Sequence, residues 1–243
     1  MHKRFSKKEI YALLITRYLS SSKTILYFCF MSKIPFSKQP VSTDRIVLHS
    51  CCAPCSTALV DYLLQQGITP VIFYYNPNIF PLGEYEIRKS ENKRYAEALG
   101  LDFVDADYDH EQWKEQTRKE KDEPERGKRC LTCFKLRLSE TARFAHENGY
   151  SLFATTLATS RWKDLEQINK AGNYAANLYP NITFWSNNWR KNGLAERQAA
   201  IIEQYDFYRQ QYCGCEYSLR DSNKWRKAHG KQPVEPVKKR KKG

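Results

Sequence analysis

The sequence predicts an α/β fold: a single Rossmann-like domain built on a parallel sheet. Two observations predict it. Short apolar runs recur through residues 44–219, and each is followed by a longer stretch with helical patterning. In such sheets the chemistry collects beyond the carboxyl ends of the strands.

Each element has its own signal. Arg45–Ser50 is a short apolar run and reads as the first strand. Ser56–Gln66 has apolar residues at 58, 59, 60, 63 and 64 and is stopped by Gly67, as a helix is. Thr69–Tyr75 is rich in β-formers and reads as the second strand. Two prolines, two asparagines and a glycine make 76–83 a loop. Glu84–Leu99 is a helix closed by Gly100, Leu101–Ala106 a third strand, and Asp109–Lys119 a charged helix. After the turn-rich Lys121–Lys128 comes a helix over Cys130–Asn148 stopped by Gly149. Ser151–Leu157 is a fourth strand, Lys163–Leu178 a helix, Ile182–Trp185 a fifth strand, and Gly193–Gln211 a long final helix. Beyond Ser222 the chain is polar and reads as a disordered tail that ends in the basic run Lys238–Lys242.

Of the 243 residues, 41% are hydrophobic and 14% aromatic, which suits a packed core and excludes a disordered chain. The net charge of +13 is confined to the two ends. Residues 1–45 carry +7, residues 220–243 carry +8, and the body between them carries −2, so a protein basic throughout is excluded. Three domains of composition follow: a basic N-terminal extension over 1–43, an α/β catalytic domain over 44–219, and a basic tail over 220–243. Ile10–Phe30 is the most apolar early stretch, but Arg17 and Lys23 interrupt it and no small-residue cleavage site follows. The expectation is a cytoplasmic protein without a membrane partner. Met31 is the only methionine after Met1, so the chain before it reads as an extension or as a start placed early. No function is assigned to it.

Seven of the eight cysteines fall in three tight clusters: Cys51, Cys52 and Cys55; Cys130 and Cys133; Cys213 and Cys215. Disulfide-stapled secreted chains are shorter and spread their cysteines over many loops, so this spacing points to metal binding or redox chemistry in a reducing compartment. Cys51 and Cys52 lie where a strand ends and a helix begins, and the free N–H groups there favour a thiolate. Cys130 and Cys133 open another predicted helix at i, i+3 and share one of its faces. Four thiolates permit either a closed zinc site or a [4Fe–4S] cluster, and a location beside active-site geometry favours the cluster. Cys213 and Cys215 flank Gly214; a disulfide between them would close a strained, labile ring, which suits an electron relay, while a further pair of metal ligands is the alternative.

Aromatic and basic residues near these clusters are candidates for RNA contact: Trp189, Arg190 and Lys191 in a polar loop, and Tyr208 and Arg209 before the last cysteine pair. A helix showing aromatic residues to its own core explains the latter equally well. His49, Tyr75 and Asp206 are candidate acids, although a histidine at a strand end serves structure more often than catalysis.

Together these stretches resemble a known family. Leu48–Ser56 (LHSCCAPCS), Phe73–Asn92 (FYYNPNIFPLGEYEIRKSEN), Arg129–Ala145 (RCLTCFKLRLSETARFA), Phe153–Asp164 (FATTLATSRWKD) and Tyr208–Ser218 (YRQQYCGCEYS) look like the cobalamin-independent epoxyqueuosine reductases of the QueH type. The resemblance covers roughly residues 45–219. It implies that epoxyqueuosine, at the wobble position of a tRNA with a GUN-type anticodon, is reduced to queuosine with electrons from a separate donor. It implies a [4Fe–4S] cluster on Cys51, Cys52, Cys130 and Cys133, and a redox-active disulfide between Cys213 and Cys215. Cys55 is left for a second iron or as an extra ligand. The acid that usually precedes the aromatic-Arg-Lys run is here Asn188. The first strand and its turn also look like the adenine nucleotide alpha-hydrolase fold of tRNA sulfurtransferases and ATP pyrophosphatases. Their Ser-Gly-Gly-x-Asp-Ser phosphate loop is replaced by Ser50–Cys55, which disfavours ATP use. A zinc-stabilised RNA-binding module without catalysis is the alternative.

Overall fold

The computed structural model describes residues 38–237. The early apolar stretch and the run Lys238–Lys242 lie outside the described residues. Five parallel strands form one sheet: β1 (Arg45–His49), β2 (Thr69–Tyr74), β3 (Phe103–Asp105), β4 (Leu152–Thr155) and β5 (Thr183–Phe184). Their spatial order is β3-β2-β1-β4-β5. The chain therefore winds outward from β1 to β3, then returns to the other side of β1. The switch point lies between β1 and β4, where a crevice opens at the carboxyl ends of the strands. Val47 pairs with Val71 on one side and with Phe153 on the other, so the middle of β1 is buried from both edges. This explains why the strands read as continuous apolar runs and not as alternating ones.

Seven α-helices connect and cover the described sheet: α1 (Ala53–Gln65), α2 (Leu82–Ala98), α3 (His110–Thr117), α4 (Lys128–Glu147), α5 (Leu165–Ala176), α6 (Leu194–Tyr205) and α7 (Glu216–Ala228). No helix among the described residues is long and apolar enough to cross a membrane. Asp109 caps α3 by accepting from Gln112 N at 2.8 Å, and Asp164 caps α5 by accepting from Gln167 N at 2.9 Å. Helix α5 buries Ile168, Ala171, Gly172 and Ala175 along one stripe. Gly172 lets that stripe press on β5, since a Cβ there would lie 2.3 Å from the Phe184 ring. Asp61 of α1 and Arg197 of α6 form a buried two-pronged pair at 2.8 and 3.2 Å that fixes α6 against α1.

Two sequence expectations need correction. The last predicted helix stops at Tyr205, not Gln211. Asp206 turns into the left-handed region (φ 47°), and Phe207 then drops into the core against the edge of Tyr95. Burying Phe207 outweighs continued helix, and the chain is turned back across the mouth of the sheet. The chain beyond Ser222 is also helical up to Ala228. Cys215 Sγ accepts from Ser218 N at 3.3 Å at the start of α7, Tyr217 and Ser218 are buried, and Asn223 exchanges two hydrogen bonds with the backbone of Val234. A polar composition hid this order because only the first turn of α7 is buried.

Gly172→Ala should lower stability by about 1–3 kcal/mol, despite the better helix propensity of alanine, because the added methyl displaces Phe184. A urea midpoint shifted down at unchanged slope checks this.

Candidate functional site

The turn after β1 carries the first cysteines. Its backbone is held from two sides: Cys51 N donates to Thr156 Oγ1 (3.1 Å) just beyond β4, and Asn76 Nδ2 donates to Ser50 O (2.9 Å) from the loop after β2. Asn76 in turn accepts from the buried Arg137 Nη2 at 2.5 Å. The asparagine-proline loop that the sequence singles out is thus a brace for the cysteine turn.

Cys51, Cys52 and Cys55 are buried, and their Sγ atoms all lie within 4.8 Å of one another. Cys51 and Cys52 are 3.8 Å apart at sulfur. Hydrogen bonds from Cys52 and then Cys55 pull the Cys51 thiol well below its usual range. Burial pushes Cys52 well above it, and the contact with Cys51 pushes Cys55 up to about 12. Ionisation is thus favoured at Cys51 by its neighbouring thiols and opposed at Cys52 and Cys55 by burial and by the contact with Cys51. Gln210, on the segment turned back by Asp206, donates Nε2 to Cys52 Sγ at 2.9 Å and reaches Cys55 Sγ at 3.9 Å. Three adjacent buried sulfurs, met by an N–H donor, form a donor set suited to a thiophilic cation, which would take the place of the retained protons.

Cys130 and Cys133 do not belong to that group, and of the five cysteines Cys52 and Cys133 do not line the cavity described below. Cys130 is half-buried in the first turn of α4, accepts from Arg126 N at 3.3 Å, and is pushed up to about 12 by burial and by Cys213. Cys133 is buried beside Trp113 and Tyr217, with Cys215 at the margin, and burial raises it too. A cavity of about 1250 Å³ joins the three clusters: Cys51, Cys55, Cys130, Cys213 and Cys215 all line it. Cys213 is exposed, and burial pushes Cys215 up to about 12.

The Cys213–Cys215 loop is held by a pair that sequence reasoning missed. Arg88 and Glu84 of α2 form a fully buried ion pair at 2.7 Å. Arg88 donates Nη1 to Cys213 O at 3.0 Å and Nη2 to Tyr212 O at 3.3 Å, while Glu84 accepts from Tyr208 OH at 2.8 Å. Phe80 N donates to Gly214 O at 2.8 Å, and Tyr212 OH donates to Phe80 O. Gly214 has φ +135°, a conformation that favours glycine, and a Cβ there would lie a tight 3.0 Å from Arg88 Nη1. An i, i+4 acid–base pair on a helix reads as a solvated surface pair in sequence; only the approach of the distant cysteine loop shows its role.

The other candidates divide. Trp189 is 2% exposed and packs against Tyr62 and Trp185, so its ring belongs to the core at the cavity wall. Arg190 lines the cavity and donates Nη2 to Lys163 O at 2.8 Å, while Lys191 is exposed. Tyr208 serves the Glu84 contact, and Arg209 is exposed outside the cavity lining. His49 is fully buried between Thr155 Oγ1 (2.8 Å) and Tyr75 O (3.3 Å), and burial lowers it to about 3. Both ring nitrogens are engaged in these contacts, and His49 is not in the cavity lining. Tyr75 and Asp206 do not line the cavity either, whereas Lys163 does. Burial opposes the charge of Lys163, but the facing sulfurs of Cys213 and Cys51 outweigh it and hold its proton.

The comparisons with known proteins agree with one another. The family model described as "Epoxyqueuosine reductase QueH" matches residues 46–221. A protein of Histophilus somni named epoxyqueuosine reductase QueH is 48% identical over 211 residues, covering 85% of this chain and 87% of its own. One of Acinetobacter baylyi with the same name is 49% identical over 198 residues, with 82% and 91% covered, and one of Thermotoga maritima is 33% identical over 177 residues, with 72% and 90% covered. With its thiol-lined cavity at the switch point of a parallel sheet, this chain belongs to the epoxyqueuosine reductase QueH family, a family of oxidoreductases.

Proposed function

We propose that this protein reduces epoxyqueuosine to queuosine at the wobble position of a tRNA with a GUN-type anticodon. One observation carries the reading: cysteines from three distant clusters line a single cavity at the carboxyl ends of β1 and β4. The reaction opens the epoxide ring and expels its oxygen as water, consuming two electrons and two protons. A [4Fe–4S] cluster on Cys51, Cys52, Cys130 and Cys133, with Cys55 toward a second iron, would supply electron transfer and Lewis acidity at that point. Oxidation of the Cys213 and Cys215 thiols to one disulfide releases two electrons and two protons, which balances the reduction. A separate electron donor then restores the dithiol. Lys163 keeps an ammonium in the cavity wall, where it can meet the departing oxygen. Arg88 is a positioning residue: it holds the backbone of Cys213 in the cavity lining through its carbonyl.

Nucleoside analysis of tRNA from a strain that lacks the protein tests the function. Epoxyqueuosine should accumulate there, and normal queuosine without a second reductase would refute the reading. Protein purified without oxygen should be brown, with about four irons per chain from the cluster and about one more if Cys55 holds a second iron. Cys51→Ser should lose that iron, whereas Cys213→Ser should keep it and lose turnover. A colourless protein with one zinc would favour the non-catalytic RNA-binding alternative.

Arg88→Met should keep the iron but reduce turnover by about tenfold or more, because the loop carbonyls lose their donor and Glu84 is left buried without its partner. The rate at which iodoacetamide alkylates Cys213 should change with it. Unchanged alkylation and turnover would remove Arg88 from this role.

A further inference from the structure

We propose that Trp162 is a stacking platform for a single-stranded nucleotide next to the one that enters the thiol-lined cavity. The proposal rests on the tRNA substrate proposed above and assigns a residue to it. Trp162 is 67% exposed, the most exposed large apolar side chain among the described residues, yet it lines the cavity that holds Cys51, Cys130 and Cys213. An exposed indole at the mouth of a reactive cavity costs apolar hydration unless something covers it.

The turn that carries it is fixed in place. Arg126 donates Nε to Trp162 O at 3.0 Å and Nη2 to Arg161 O at 3.2 Å, and Arg190 donates Nη2 to Lys163 O at 2.8 Å. Three consecutive carbonyls are therefore held by two arginines, so the ring is presented from a rigid base and little order is lost on binding. The Arg161 guanidinium lies 4.8 Å from the ring centre. Arg126, Arg161, Lys163 and Arg190 give the same wall a positive charge.

A flat aromatic surface amid fixed cations matches an unpaired nucleotide, whose base stacks and whose phosphate is attracted. Trp225, also exposed and also in the cavity lining, fits less well. Each ring has one cation 4.8 Å from its centre, but that of Trp225 is also stacked on His229 at 4.2 Å and is less exposed, at 52%. The sequence offers Trp189 as a candidate RNA contact, but the core has taken it; Trp162 offers the surface that Trp189 lacks.

The test measures binding of the full-length, iron-loaded protein to a synthetic unmodified anticodon stem-loop and to a fully paired duplex of the same stem, at one fixed salt concentration. Trp162→Ala should weaken stem-loop binding by about five- to a hundredfold, as loss of one stacked base does, and leave duplex binding unchanged. Trp162→Phe should recover most of the loss. Iron content and urea midpoint should match the wild type, since the ring packs on little else. Stem-loop affinity within twofold of wild type, or an equal loss for both RNAs, overturns the proposal. So does loss of self-association in Trp162→Ala with RNA affinity intact, which would give the ring to a second copy of the chain. Binding is read without turnover, so a wild type that fails to reduce epoxyqueuosine would refute the proposed reaction and leave the stacking site to its own result.

Discussion

The arrangement depends on keeping three thiols together in a buried turn. Cys51, Cys52 and Cys55 sit within 4.8 Å of one another at sulfur, where burial and mutual contact let one of them ionise and hold protons on the other two. Sulfurs brought this close without bonding need a rigid enclosure, and the surroundings provide it. Thr156, Asn76 and Gln210 each reach the turn or its sulfurs from a different element. Each contact comes from a segment that follows a strand or is turned back toward the sheet, so the switch point of the sheet is what gathers them.

From that enclosure outward, polarity is graded. The thiols lie at the floor. Lys163 brings a retained positive charge to the wall, and the arginines of the Arg126–Arg190 region extend it to the mouth. The buried Glu84–Arg88 pair, whose arginine also lines the cavity, directs its remaining donors to the cysteine loop. A buried ion pair contributes little net stability by itself. Here its geometry serves the backbone of the Cys-Gly-Cys segment, which precedes α7 and has no regular secondary structure of its own to hold it. Rigid support for a chemically mobile pair is the arrangement that reversible thiol chemistry requires.

The fold was legible in outline from local patterning. Strands buried on both sides read as apolar runs, and glycine stops marked several helix ends. The misreadings share one cause. The helix expected to reach Gln211 ends at Tyr205, and the tail expected to be disordered forms α7, because Phe207 and Tyr217 find burial sites on residues remote in sequence. Likewise Trp189 looked like a surface aromatic in a polar loop, yet Tyr62 and Trp185 enclose it. Local composition reports what a segment can tolerate, not what will come to cover it.

By itself the sequence determined the chemistry of the donors: three cysteine clusters, a glycine between two of the sulfurs, and a strand-turn-helix to carry the first cluster. These are properties of residue type and close spacing, which no tertiary contact can supply. Only the folded chain decided that Cys133 is buried beside Trp113 and Tyr217, that His49 is buried between Thr155 and Tyr75, that Arg88 grips the last cysteine loop, and that Trp162, not Trp189, faces outward. Each of these depends on burial or on a partner far away along the chain, and both are set by how the elements pack.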